Sequence, residues 1–153
     1  MLRLKTIDKE EYDNYVRNHQ YKSHFLQSLS WGEFAKVKKN LTPHYLGLTT
    51  EDNQLVAATL LLEKHLPMNM CYLYAPRGFV IDFNKKELLK TMTKKVVEFA
   101  KTRKAIFVKI DPYVEYVEHD NNGDVVEGGY DNKQAVENLI KLGYKHFGFN
   151  LMQ

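Results

Sequence analysis

The chain has 153 residues, the size of one domain with room for a buried core. A net charge of +3 does not by itself mark a nucleic-acid binder, and no apolar run approaches the ~20 residues a membrane span needs. The single cysteine, Cys71, excludes an internal disulfide and a Cys-rich metal site; within the apolar run "MCYLYA" it reads as a small core residue.

The opening "MLRLKTIDKEE" turns acidic and helical too soon for a signal peptide, so the chain reads as cytoplasmic, meeting a membrane only at the membrane's surface. "LRLKTI" alternates as a first strand. Asp8 then caps a helix with Glu11 at its third position, and Ile7 with Tyr12 closes a hydrophobic staple. A second capping box, Ser30 with Glu33, opens a helix through "WGEFAKVKKN". The runs "HYLGLTT" and "QLVAATLLLEKHL" flank the turn-forming "EDN" and predict a hairpin. "CYLYA" is a further short strand, broken at "PRG". From Asn84 a helix carries Leu88, Leu89, Met92, Val96, Phe99 and Ala100 on one stripe, with lysines elsewhere. "KAIFVKI" follows, apolar enough for a central strand packed on both faces.

Beyond it, "EYVEHDNNGDVVEGG" predicts a protruding hairpin near residues 114–128, turning at "NNGD". "NKQAVENLIKLGY" is a final helix with Asp131 as cap and Gly143 at its end. "HFGFN" starts one more strand that nothing follows to pair, and an edge left open there predicts self-association. The order of elements predicts an α/β (α+β) fold, a mixed central sheet flanked by helices. It resembles the GNAT acyltransferase fold.

No metal site is expected: the six histidines are scattered, and "EHD" at residues 118–120 sits in a polar hairpin. The phosphate-binding loops of nucleotide enzymes and the Gly-spaced pyrophosphate loop of acetyl-CoA enzymes are not in the sequence, so no cofactor and no acetyl-CoA is expected. Three features remain. Arg77 in "YAPRGFVID" is either an exposed turn residue or a bidentate holder of carboxylate or phosphate. Lys36 and Lys38 follow the Trp31–Phe34 stripe, Lys38 returning toward the apolar side and Lys36 pointing away, freer to meet an anion. Asp111 lies at a strand's carboxyl end directly before Pro112. There it is either a turn initiator or a residue of the ligand crevice that such strand ends border.

Five segments, "SHFLQSLSWGEFAKVKK", "YAPRGFVIDFNKKELL", "IFVKIDPYVEY", "HDNNGDVVEGGYDN" and "LGYKHFGFN", together resemble the Fem family of peptidoglycan-bridge aminoacyltransferases. The resemblance implies a cytoplasmic enzyme, peripheral to the inner membrane face. It moves an amino acid from aminoacyl-tRNA to the stem-peptide amine of lipid II or its UDP-linked form. It also implies two GNAT-like domains, of which residues 1–153 are the first, the second absent and this part inactive alone. By the same resemblance Lys36, with Lys38 as second candidate, lies near the acceptor's phosphates. Asp111 lies by the reacting amine, as an orienting residue before a general base. Phe79 departs from the proline usual after "RG". The alternatives are a GNAT-fold N-acetyltransferase or a non-catalytic module that binds the precursor.

Overall fold

The computed structural model describes residues 2–19 and 23–148. Five strands form one sheet in sequence order: β1 (Arg3–Thr6), β2 (Thr42–Thr49), β3 (Leu55–Leu66), β4 (Met70–Ala75) and β5 (Ala105–Ile110). The first four run antiparallel to their neighbours, and β5 lies parallel to β4. Helices α1 (Lys9–Asn18) and α2 (Leu29–Lys39) precede β2, α3 (Lys86–Thr102) makes the β4–β5 crossover, and α4 (Lys133–Lys141) follows β5. A parallel pair needs such a crossover, and the α3 stripe supplies its buried face through Leu89, Met92, Val96 and Ala100.

Strand alternation divides the core in two. Ala57 and Leu61 of β3 face the cluster built on α3, joined by Leu73, Ala75, Phe79 and Ala135. Ala58, Leu60 and Leu62 face the other way, against Tyr12 and Val16 of α1 and Ala35 of α2. Phe79, the unusual residue after "RG", is therefore core, its ring parallel to that of Phe83.

The first helix starts as predicted: the Asp8 side chain accepts the Glu11 N–H, and Ile7 and Tyr12 are both buried. The second does not. Its cap is Ser28, which accepts the Trp31 N–H, so Ser30 lies inside α2. Glu33 takes other partners, the Lys9 ammonium at 2.9 Å and the Tyr45 hydroxyl at 3.0 Å. At α4 the capping residue is Asn132, although the Asp131 carboxylate does accept the Lys133 N–H. Gly143 follows the helix at φ +89°, a left-handed turn open to glycine. The excursion after β5 is held by isolated antiparallel bridges, His119 to Val125 and Val117 to Asp131.

The larger correction concerns β5. Among the described residues it is the sheet's edge, and Ile106 and Phe107 are about half exposed. Pairing runs Cys71 to Ala105 and then Leu73 to Val108, so one extra residue sits on β5. That bulge breaks the alternation: Ala105, Val108 and Ile110 pack on the α3 core while two successive apolar residues face out. Of the strand predicted in "HFGFN", residues 146–148 are not strand, and the remainder lies outside the described residues.

Candidate active site

Parallel pairing of Ala75 with Ile110 brings the next residues of each strand, Pro76-Arg77-Gly78 and Asp111, out side by side. Asp111 Oδ1 accepts the Arg77 backbone N–H at 2.6 Å, and Oδ2 accepts the Tyr74 hydroxyl at 3.2 Å. The Arg77 guanidinium stands beside the same carboxylate, Nε to Oδ2 at 4.0 Å. Burial pushes the Tyr74 phenol well up, with the Asp111 charge adding to it, so Tyr74 stays protonated and donates. Arg77 sits at φ 52°, the left-handed region that a side chain rarely takes, and the carboxylate grips the amide of that turn.

Behind the turn is a residue the sequence reading did not single out. Extended from its last rungs, the β3–β4 ladder would set Leu60 opposite Pro76, which has no N–H to give. The Gln27 side chain fills the gap: Oε1 accepts the Leu60 N–H at 2.9 Å, and Nε2 donates to the Leu60 and Pro76 carbonyls at 3.2 and 2.7 Å. Gln27 is fully buried, and its own carbonyl accepts the Tyr12 hydroxyl at 2.6 Å. Gly78 packs against this amide so closely that a Cβ there would stand 2.8 Å from Nε2. The proline in "APRG" announces a lost strand hydrogen bond, but nothing in the sequence says which side chain replaces it.

His24 is the other unpredicted neighbour. Its Nδ1 accepts the Leu26 N–H at 3.2 Å, and its ring meets Tyr113, two residues past Asp111, edge-on at 5.1 Å. Burial lowers its pKa, Arg77 lowers it further and Asp111 opposes both, which leaves a neutral imidazole at pH 7. Of the four predicted site residues, then, Asp111 and Arg77 come together. Lys36 and Lys38 are exposed on α2, and neither makes a hydrogen bond or ion pair with them. Among the described residues no group of three His, Cys, Asp or Glu side chains is arranged to hold a metal ion.

Over residues 7–152 the sequence matches the FemAB family. The chain belongs to that family. The aminoacyltransferase FemA of Staphylococcus epidermidis is 29% identical over 149 residues, which are 97% of this chain and 35% of that protein. FemA of Staphylococcus aureus is 26% identical over the same coverage. A crystal structure of FemX superposes with a TM-score of 0.76 at 30% identity, covering 97% of this chain and 33% of that one. This FemAB chain therefore spans about a third of the length of these relatives. An acetyltransferase of Trypanosoma brucei, 11% identical, covers all of this chain and 99% of its own at a TM-score of 0.57, and shares the fold alone. The fold is α/β, of the GNAT type.

Proposed function

We propose that the chain is the first of two GNAT-like halves of an enzyme that passes an amino acid from aminoacyl-tRNA to the stem-peptide amine of a peptidoglycan precursor. The observation that carries this is Asp111: a carboxylate at a parallel strand end, held by the Arg77 amide and the Tyr74 hydroxyl, in a chain of the FemAB family. The amine nitrogen attacks the ester carbonyl carbon, the bond from that carbon to the ribose oxygen breaks, and the proton shed by the amine ends on the ribose oxygen. Asp111 orients the incoming ammonium and accepts one of its protons, which passes on to water, so that the neutral amine attacks. The second proton, shed by the nitrogen after attack, is the one the leaving oxygen receives. Arg77 holds a carboxylate or phosphate of the acceptor. Lys36, with Lys38 beside it, meets the acceptor's phosphates across the cleft, so the second half of the enzyme closes that side. No cofactor is needed, because the donor arrives as an activated ester.

The test uses the chain completed to the length of its relatives, assayed for transfer from aminoacyl-tRNA to lipid II and to its UDP-linked form. Asp111→Asn should lower kcat on the order of 10²-fold with acceptor affinity little changed. Transfer at the unaltered rate would overturn the assignment of Asp111. No transfer by the intact enzyme would overturn the function. Acetyl-CoA should leave the thermal midpoint where it is; a saturable rise would favour an N-acetyltransferase.

A further inference from the structure

Aminolysis of an ester leaves one atom still to be met by the protein. The carbonyl oxygen gathers negative charge when the amine adds, and a donor aimed at it lowers the barrier. The donors closest to Asp111 are already committed. The Arg77 amide and the Tyr74 hydroxyl both bond the Asp111 carboxylate. The Gly78 amide donates to the Ala75 carbonyl at 3.3 Å, and Pro112 has no N–H to offer. His24 is in a different position. Its Nδ1 lone pair receives the Leu26 N–H at 3.2 Å, so a neutral ring carries its proton on Nε2. Among the described residues that Nε2–H has no hydrogen-bond partner.

The half-buried ring is also fixed beside the strand end. It packs on Phe25 at a centroid distance of 4.6 Å and meets Tyr113, two residues past Asp111, at 5.1 Å. Three residues on, Gln27 donates to the Pro76 carbonyl at 2.7 Å, so residues 24 to 27 run along the turn that Asp111 grips. We propose that His24 is a further catalytic residue, its Nε2–H donating a hydrogen bond to the carbonyl oxygen of the ester. This rests on the transfer reaction and deepens it. As nitrogen bonds to the carbonyl carbon, the π pair moves onto oxygen, where Nε2–H meets it. The pair returns to rebuild the carbonyl as the bond to the ribose oxygen breaks, and His24 keeps its proton throughout. An imidazolium would pair with Asp111 and repel the incoming ammonium; the neutral ring donates without doing either. Burial and Arg77 hold it in that form at pH 7 against the pull of Asp111. Nor is the ring a second base, because its lone pair lies on Nδ1 and is taken.

The tautomer can be read on the chain itself, by NMR of isotopically labelled histidine. At pH 7 the His24 ring should be neutral with Nε2 protonated; an Nδ1–H tautomer or a charged ring overturns the proposal. The chain completed to the length of its relatives then tests the role. His24→Asn keeps an acceptor for the Leu26 N–H near the place of Nδ1 but has nothing at Nε2. Its kcat should fall on the order of 10²-fold with KM little changed, as for loss of a single oxyanion donor. His24→Gln carries an amide N–H near the Nε2 position and should recover on the order of tenfold of that loss. Unaltered kcat in His24→Asn, a loss confined to KM, or a loss that His24→Gln leaves in full overturns the inference while the transfer reading stands. No transfer by the unaltered enzyme overturns both. Thermal unfolding checks that each variant is folded, and if either is not, the tautomer measurement on the unaltered chain decides.

Discussion

Two carboxylates, from strands on either side of β4, have been given opposite surroundings. Glu63, from β3, meets Arg103 just before β5 begins; Asp111 stands where β5 ends. The Glu63 side chain is 2% exposed and saturated with charged or chargeable donors. Arg103 clasps both its oxygens, Nε at 2.9 Å and Nη2 at 3.1 Å, and His44 Nε2 lies at 2.8 Å. Asp111 is 18% exposed, and its short hydrogen bonds come from neutral groups, an amide and a phenol. A carboxylate whose oxygens are closed by a bidentate guanidinium has no capacity left for a ligand. One held by an amide and a phenol, with the Arg77 guanidinium no nearer than 4.0 Å, keeps an open approach. By this difference Glu63 braces the sheet, and Asp111 is the carboxylate we propose as the one that serves a site.

The strongest way to break that contrast is to remove Glu63. Glu63→Ala strands a guanidinium and should cost about 3 kcal/mol in urea unfolding, the lower end for a buried pair because Arg103 is partly exposed and can recover water. A loss below about 1 kcal/mol would mean the cluster is not a brace. Acid should act on it in two stages. Burial holds the His44 pKa below the usual imidazole value even against the pull of Glu63, so the folded state prefers it neutral. Stability from this group is present above about pH 6.5 and declines as pH falls through that value, when the unfolded chain takes up the proton first. Burial pushes the Glu63 carboxyl up, but the Arg103 and His44 hydrogen bonds outweigh it and the net shift is downward. Its contribution is present above the unfolded carboxyl value near 4.5 and is lost as pH falls through the lower, folded one. In Glu63→Gln the second stage should flatten; an unchanged acid limb would place the sensitivity elsewhere.

A smaller loss is expected behind the Asp111 turn. Gln27→Ala leaves the Leu60 amide and the Pro76 carbonyl buried without their partner and should cost about 2–3 kcal/mol by denaturant unfolding. Gln27→Met keeps most of the volume and isolates the polar part. If methionine costs under about 0.5 kcal/mol, the amide is not what replaces the missing strand bond. The same substitution should shift the NMR amide resonance of Arg77, since the turn that Asp111 grips rests on this side chain.

What could be read in advance follows from how far each determinant reaches along the chain. Helix α3, the β2–β3 hairpin and the Asp8 cap depend on spacings of a few residues, and all three stand as predicted. The α2 cap lies two residues before the predicted one because Ser28 and Ser30 offer the same chemistry, and only packing chooses between them. The edge position of β5 was hidden for a different reason. Ile106 and Phe107 are apolar, and nothing local reveals the bulge that turns both outward. At the site Asp111 and Arg77 were visible as unusual residues at strand ends. Gln27 was not, because its partners lie 33 and 49 residues away and its role exists only once β4 has parted from β3.

The smallest effect on stability should come from the site carboxylate itself. In Asp111→Asn the side-chain oxygen still accepts the Arg77 amide, Tyr74, the weaker contact, can turn to water at the partly open edge, and the Arg77 guanidinium loses only a charge 4.0 Å from its Nε. Stability should therefore change by no more than about 1 kcal/mol. If the variant unfolds with a loss like that of Glu63→Ala, Asp111 is a second brace and the reading of the site weakens. A fold left intact with the charge removed is what a working carboxylate predicts. A group that had to anchor the turn by its charge would not be free to give that charge to an incoming ammonium. The turn is anchored from the other side by the neutral Gln27 amide, which leaves Asp111 at liberty to meet a ligand.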